Sequence, residues 1–238
     1  MEKEIKIKTP DKHVVYGTLR LANKKSDSLL IFVHGLTGYR NEHKFYNGAR
    51  YFAAKNINTF RFDLYSWEKD ARKLSDCGLS THAADLNTVV KFFRKKFKKI
   101  FVAGHSFGGI TILLSDTSKV DGIILWDSSY SRDRDDEKYD KHLDAYIIKW
   151  GVEFIYSKKM HEEHKNFPAP KVAIKKVSKP IKVIVAGAGM LVKPGKEYFK
   201  HANEPKELAI IKGAHHNFDE GETAQELFRE TYEFIKKY

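Results

Sequence analysis

Short runs of apolar residues alternate with amphipathic segments along most of the chain. The runs are rich in β-branched and aromatic side chains, which is typical of strands buried on both faces of a sheet. They occupy residues 29–33, 57–63, 100–103, 122–126, 181–186 and 208–212. Between them, apolar residues recur at helical spacing, most clearly over 81–97 and 223–237. This order predicts an α/β fold with a mostly parallel sheet and helices on both faces.

The N-terminal segment predicts two further strands. Residues 4–8 alternate charged and apolar side chains, and residues 14–21 continue a β pattern after a turn at Pro10-Asp11. Added to the buried runs, these segments predict a sheet of about eight strands. Nearly the whole length is then used by one sheet, so we expect a single domain over residues 1–238.

Residues 128–179 interrupt the alternation of strands and helices. This stretch is long, charged and partly helical in pattern, and it lies between two predicted core strands. Insertions of this kind often carry function, so we expect a lid or cap over the carboxyl edge of the sheet. Its larger apolar residues either line a pocket or pack the insertion onto the body; they are Tyr139, Tyr146, Ile147, Trp150, Phe154, Ile155 and Tyr156.

Composition excludes several classes of protein. A hydrophobic fraction of 42% supplies a full core, so the chain is not of the disordered class. The single cysteine, Cys77, excludes an internal disulfide and favours a reducing cytoplasm. No apolar run approaches the roughly eighteen residues of a membrane-spanning helix, so we expect no membrane span. The charged N-terminus does not resemble a signal peptide.

The chain is strongly basic, with 43 Lys and Arg against 31 Asp and Glu and a net charge of +12. The densest basic run, residues 91–99, ends an amphipathic predicted helix, where the helix dipole favours cations on the solvent side. Neither this run nor residues 158–179 carry a zinc-finger or RNA-binding motif. We therefore expect no nucleic-acid partner, and at most a preference for small anionic ligands.

The strongest chemical signal lies directly after the predicted strand 100–103. Residues 104–109 read G-H-S-F-G-G and contain G-x-S-x-G where a strand passes into a helix. A serine at this position sits on a tight, strained turn, and small neighbours let the strand and helix close around it. The N-terminus of the helix favours the negative charge that develops during acyl transfer. Ser106 is therefore the predicted nucleophile.

Two other strand ends supply the remaining groups of an acyl-transfer site. Residues 34–38, H-G-L-T-G, follow an earlier buried strand, and the amides of Leu36 and Phe107 are the predicted oxyanion hole. Residues 213–218, G-A-H-H-N-F, follow the last predicted strand. The base comes last in chain order in this arrangement, and by position either His215 or His216 can supply it.

On these three motifs the chain resembles small α/β-hydrolases of the serine esterase and serine aminopeptidase-like type, similar to bacterial feruloyl/cinnamoyl esterases. The last family motif commonly reads G-A-D-H-x-F, which implies that His216 is the catalytic histidine. The resemblance implies an α/β-hydrolase fold and a serine hydrolase that cleaves carboxylic esters or thioesters through an acyl-enzyme. The substrate is then a small acyl ester or thioester, and neither a metal nor an organic cofactor is implied.

The chain departs from the family pattern at the acid. The family usually takes it from the loop after the penultimate strand, where Met190 stands here, and residues 181–196 contain no carboxylate. The acid orients the imidazole and stabilises its protonated form, and loss of its charge costs about 10⁴ in rate. Our choice is Asp127, which ends the strand 122–126, as in hydrolases resembling pancreatic lipases. A Ser–His dyad and a degenerate hydrolase that only binds are the alternatives.

Several other polar residues have no expected catalytic or metal-binding role. Glu197 and Asp219 are weaker acid candidates expected to face solvent or cap a helix, and Asp63 is expected to shape its loop. Residues 161–164, H-E-E-H, do not have the spacing of a zinc-binding H-E-x-x-H motif and are expected to be exposed. A peptidase or amidase on the same framework is the rival activity.

Overall fold

The computed structural model describes residues 1–131, 136–150 and 152–238. Residues 132–135 and 151, which belong to the predicted lid, lie outside the described part. The strands are β1 (Glu2–Lys8), β2 (Val14–Arg20), β3 (Ser28–Val33), β4 (Asn58–Phe62), β5 (Lys99–His105), β6 (Gly122–Trp126), β7 (Glu137–Asp140), β8 (Ala145–Trp150), β9 (Val152–Ser157), β10 (Ile181–Ala186) and β11 (Lys206–Ile211).

The α-helices are α1 (His43–Ala54), α2 (Leu79–Arg94), α3 (Phe107–Leu114), α4 (Lys158–Lys165), α5 (Pro170–Ala173), α6 (Val192–His201) and α7 (Thr223–Lys237). Short 3₁₀ turns cover Leu74–Asp76, Thr117–Lys119 and Ile174–Lys176. None of the described helices is both long and apolar enough to cross a lipid bilayer.

The main sheet has eight strands in the order β1-β2-β4-β3-β5-β6-β10-β11. Strand β2 pairs antiparallel with β1 and β4, and every other neighbouring pair in this sheet is parallel. The carboxyl ends of the parallel strands therefore meet at one edge. The predicted α/β fold, with a mostly parallel sheet of about eight strands, is confirmed.

Helices cover both faces of the sheet, and this explains the continuous apolar runs of the central strands. In β3, Ile31 joins a core beneath α2 and α3, whereas Phe32 joins a core beneath α1 and α7. Successive side chains of a strand point to opposite faces, so each face needs its own apolar set. Trp126 is fully buried in the second core, with its ring centroid 5.5 Å from that of Phe32.

The structure of residues 128–179 agrees only in part with the prediction from sequence. The stretch contains α4 and α5, as its helical pattern suggests, but also a three-stranded antiparallel sheet of β7, β8 and β9. The sequence did not predict these strands because they are short and few of their residues are fully buried, so they lack a buried apolar run. Ile148, Tyr156 and Met160 pack the insertion onto the main core.

Three histidines are buried in the body of the protein: His34, His82 and His105 are 1%, 1% and 4% exposed. Burial disfavours the charged imidazolium and lowers the pKa of each ring from its ordinary 6.5, to about 3 for His82 and well below 6.5 for His105. The unfolded chain takes up a proton at each site near pH 6.5, but the folded chain does not.

We therefore predict that the free energy of unfolding falls as the pH drops below about 6.5, because the unfolded state then binds more protons. Each fully neutral buried histidine adds a slope of about 1.4 kcal/mol per pH unit. Urea unfolding between pH 7.5 and 5.5 measures the slope. His82→Phe should reduce it by about one histidine's share, whereas His142→Gln, at an exposed position, should not. Equal slopes for wild type and His82→Phe would contradict the burial argument.

Candidate active site

Ser106 lies at the turn between β5 and α3 with a backbone φ of +55° and ψ of −119°. A positive φ is strained for a residue with a Cβ, so surrounding contacts must hold it. The Ser106 amide donates to the Trp126 carbonyl at 3.0 Å, and its own carbonyl accepts from the Gly109 and Ser129 amides at 3.0 and 3.1 Å. The turn is therefore fixed from β6, from α3 and from the loop after β6.

Two glycines of the motif make this turn sterically possible. A Cβ on Gly104 would lie 2.5 Å from the Gly108 backbone, and a Cβ on Gly108 would lie 2.1 Å from the Val33 carbonyl oxygen. Both distances are far below a normal contact, so no side chain fits at either position. The first turn of α3 consequently packs directly on the backbones of β5 and β3.

The structure brings Asp127 and His216 together, at a distance of 2.6 Å between Oδ2 and Nδ1. Asp127 is 1% exposed and adopts a positive φ of 43° at the end of β6. Its amide donates to the Ile184 carbonyl at 2.8 Å, and its Oδ1 accepts from the Ala186 amide at 3.1 Å. Contacts with the neighbouring strand β10 thus aim the carboxylate. Met190, where the family has its acid, is 82% exposed.

The loop that carries His216 is held from below by His105. The His105 Nε2 lies 2.7 Å from the His216 carbonyl oxygen, and because a carbonyl only accepts, this nitrogen carries the proton. Burial keeps the pKa of His105 well below its ordinary value, so the ring stays neutral. His215 is exposed, and its amide donates to Glu220. Of the two candidate bases, His216 is the one that lines the cavity described below.

The H-G-L-T-G loop after β3 is fixed by side chains. The His34 Nδ1 donates to the Gly35 carbonyl at 2.7 Å, and its Nε2 accepts from the Leu64 amide at 3.0 Å. The Tyr65 hydroxyl donates to the Leu36 carbonyl. Within the described residues, neither the Leu36 amide nor the Phe107 amide donates a hydrogen bond. Both predicted oxyanion donors are therefore available to a bound group.

These groups surround one cavity of about 380 Å³. Ser106, His216, Asp127, Leu36 and Phe107 all line it. The Ser106 hydroxyl is hydrogen bonded to Ser129 Oγ at 3.2 Å, and among the described atoms it makes no such bond to His216. The structure thus places every predicted site residue around one space, with the serine side chain turned toward Ser129.

The insertion supplies much of the cavity wall. Its lining residues are Ser129, Tyr130, Asp136, Trp150 and His164. The expectation that residues 161–164 are exposed is wrong for His164, which is 5% exposed and lies with its ring 4.6 Å from that of Phe107. Its Nε2 is 3.0 Å from the Tyr130 carbonyl. The sequence did not predict that Ser129 and His164 line the cavity. For Ser129, the available signal was its position two residues after Asp127.

Asp63 and the two weaker acid candidates, Glu197 and Asp219, do not line this cavity. Asp63 accepts from the Arg40 amide and from Arg40 Nη1, both at 2.7 Å, and so ties down the loop after β3. Glu197 pairs with His201 at 3.3 Å, and Asp219 is exposed. In the described part of the chain, no group of three His, Cys, Asp or Glu residues is arranged to hold a metal ion.

Solved structures of low sequence identity share this architecture. The esterase domain of a Rhodothermus marinus protein matches with a TM-score of 0.78 at 15% identity, over 100% of this chain and 99% of that one. Est1E from Butyrivibrio proteoclasticus, with ferulic acid bound, matches with 0.81 at 17% identity over 98% of both chains. A dienelactone hydrolase from Anabaena variabilis matches with 0.72 at 15% identity, over 100% and 98%. At such identities these likenesses show the fold.

No curated protein matches the sequence. The model of the alpha/beta hydrolase family matches residues 30–160, which is more than half of the chain and includes the H-G-L-T-G loop, the Ser106 turn and Asp127. The chain therefore belongs to the alpha/beta hydrolase family.

Proposed function

We propose that the protein is a serine hydrolase that cleaves carboxylic esters or thioesters through an acyl-enzyme. The observation that carries this proposal is the 2.6 Å contact between Asp127 and His216 in the cavity that also contains Ser106 on its strained turn. A nucleophile, a base and an orienting carboxylate are the three parts that such catalysis needs. Two unpaired backbone amides beside them supply a place for the oxyanion.

In the proposed first half-reaction, the Ser106 hydroxyl turns toward His216 and attacks the substrate carbonyl. His216 accepts the hydroxyl proton at Nε2, while Nδ1 keeps its own proton and donates a hydrogen bond to Asp127. The carboxylate stabilises the imidazolium that forms. The amides of Leu36 and Phe107 donate to the negatively charged oxygen of the tetrahedral intermediate. His216 then returns the proton to the leaving alcohol or thiol.

In the second half-reaction, water replaces the alcohol. His216 removes a proton from the water as it attacks the acyl carbon, and the oxyanion again lies at the two amides. Collapse of this second intermediate releases the acid and returns the proton to Ser106. No metal or organic cofactor enters these steps. A cytoplasmic location of the protein remains a prediction that rests on the single cysteine.

Esters are preferred over amides in this proposal because the named structural neighbours are esterases and a lactone hydrolase. The peptidase or amidase alternative is tested with ester and amide substrates of the same acyl group. The predicted cap role of residues 128–179 is supported by Tyr130, Trp150 and His164, which lie in the cavity wall. Substrate size would then depend on the insertion more than on the sheet.

We predict that a fluorophosphonate probe labels the wild-type protein and fails to label Ser106→Ala. Asp127→Asn should slow labelling by about 10⁴, because the neutral amide no longer holds the imidazole in its correct tautomer. Glu197→Gln and Asp219→Asn are matched controls, since both remove a carboxylate from outside the described cavity wall. They should react at the wild-type rate.

Three results would count against this assignment. Labelling that survives in Ser106→Ala would place the nucleophile elsewhere. Wild-type labelling of Asp127→Asn, with slow labelling of Glu197→Gln or Asp219→Asn, would move the acid to that residue. A wild-type protein that neither labels nor hydrolyses esters would favour the degenerate, binding-only alternative.

The charged side chains that line the cavity narrow the class of substrate. The described residues that line the cavity include the carboxylates Glu42 and Asp136 but no Lys or Arg. Glu42 is itself paired with Lys44 at 2.9 Å. An anionic acyl group would lose hydration in this cavity without a described cation to replace it, which is costly. We therefore propose uncharged acyl groups, in place of the anionic esters that the net charge of +12 suggested.

We predict that 4-nitrophenyl butyrate is cleaved with a kcat/KM at least about tenfold above that of 4-nitrophenyl hemisuccinate, which has a similar length but ends in a carboxylate. The ratio should persist at high salt, because salt screens long-range attraction and not desolvation in a cavity. Ser106→Ala measures the background hydrolysis. A faster reaction of the hemisuccinate that disappears at high salt would restore the anionic-substrate hypothesis.

A further inference from the structure

The nucleophile of the proposed reaction is in contact with a second serine. Ser106 Oγ and Ser129 Oγ lie 3.2 Å apart, and either hydroxyl can donate. In the described structure this is the hydrogen bond that the Ser106 side chain makes, although His216 lines the same cavity. Ser129 has no part in the proposed reaction, and nothing in the G-x-S-x-G pattern calls for a hydroxyl there.

The backbone of Ser129 is fixed on two sides. Its amide donates to the Ser106 carbonyl at 3.1 Å, and its carbonyl accepts from the Tyr198 hydroxyl at 2.8 Å. Tyr198 belongs to α6 and is fully buried, and burial raises the pKa of its hydroxyl, which therefore remains a donor. Ser129 is thus attached both to the turn that carries the nucleophile and to a helix of the core.

Close packing also sets the position of this loop. A Cβ on Gly109 would lie 2.2 Å from Ser128 Oγ, so the absence of a side chain at Gly109 lets the loop after β6 rest on the first turn of α3. Ser128 Oγ in turn donates to the Ser129 carbonyl at 3.2 Å. The Ser129 hydroxyl is consequently presented to Ser106 by a rigid support and not by a mobile surface loop.

We propose that Ser129 is a positioning residue that holds the Ser106 hydroxyl in a resting orientation, away from His216, until substrate fills the cavity. The inference rests on the proposed function of Ser106. In the proposed resting state Ser106 is the donor of this bond. A hydroxyl has a single proton, so Ser106 can donate it to Ser129 or to His216 but not to both at once. A neutral hydrogen bond of ordinary strength shifts such an equilibrium by about three- to tenfold.

The kinetic consequence is specific. If only a fraction of the free enzyme has Ser106 turned toward His216, substrate binding must also supply the free energy of that rotation, and the apparent affinity falls by the same fraction. Once substrate is bound the rotation is complete, so the maximal rate does not contain this cost. Ser129 therefore acts on KM and on the reactivity of the free enzyme, and not on kcat.

The test compares Ser129→Ala, Ser129→Thr and Ser118→Ala with the wild-type protein. Ser129→Ala should lower KM for 4-nitrophenyl butyrate and speed fluorophosphonate labelling, each about three- to tenfold, with kcat unchanged. Ser129→Thr keeps the hydroxyl and should restore wild-type kinetics. Ser118→Ala removes an exposed hydroxyl that does not line the cavity, and it should leave both KM and labelling as they are.

A drop in kcat for Ser129→Ala with unchanged KM would overturn the proposal, because it would place Ser129 in the chemical step. Equal constants in Ser129→Ala and wild type would overturn it as well. High-resolution crystal structures of the free wild-type and Ser129→Ala proteins provide a readout independent of activity. The Ser106 side chain should point to Ser129 in the first and to His216 in the second. If Ser106-dependent labelling is absent but the side chain reorients, the proposed function fails and the positioning contact stands.

Discussion

The site depends on the direct contact of the first turn of α3 with the backbones beneath it. Gly108 packs on the Val33 carbonyl, and a Cβ at Gly35 would lie 3.3 Å from the Ser106 Cβ. Gly109 packs on Ser128 in the same way. The loops after β3, β5 and β6 are therefore held against one another at van der Waals distance. The strained Ser106, the two amides beside it that donate to no described group, and Asp127 after β6 share this single packing constraint.

The adjacency of β6 and β10 explains how Asp127, the proposed acid, can lie on the earlier strand and still reach His216. The two strands are parallel neighbours, so both end at the edge that faces the cavity. Asp127 hydrogen bonds to the β10 backbone through Ile184 and Ala186, and its carboxylate occupies the space in front of that strand. With a carboxylate already there, the loop after β10 needs no acid, and the exposed Met190 can stand at the rim.

Sequence alone predicted the main sheet because strands buried on both faces must be apolar throughout. Because strand ends meet at one edge, it also predicted Ser106 near either His215 or His216. The resemblance to α/β-hydrolases selected His216 and pointed to Asp127 as the acid. The strands β7–β9 lack the apolar signal of the main sheet, because few of their residues are fully buried. His164 was missed for a related reason. Its burial depends on Phe107 and Tyr130, which are distant in sequence, and no local pattern encodes such contacts.

The buried histidines affect the proposed chemistry because they are uncharged. The His105 ring lies 4.6 Å from the ring of His216, so a proton on His105 would oppose formation of an imidazolium at His216. Burial keeps His105 neutral, and its Nε2 proton is used to hold the His216 carbonyl. Asp127, 2.6 Å from His216, is then the carboxylate that stabilises the imidazolium of the proposed reaction. Burial of these histidines thus lowers the free energy of unfolding at acid pH, and it also keeps a positive charge away from His216.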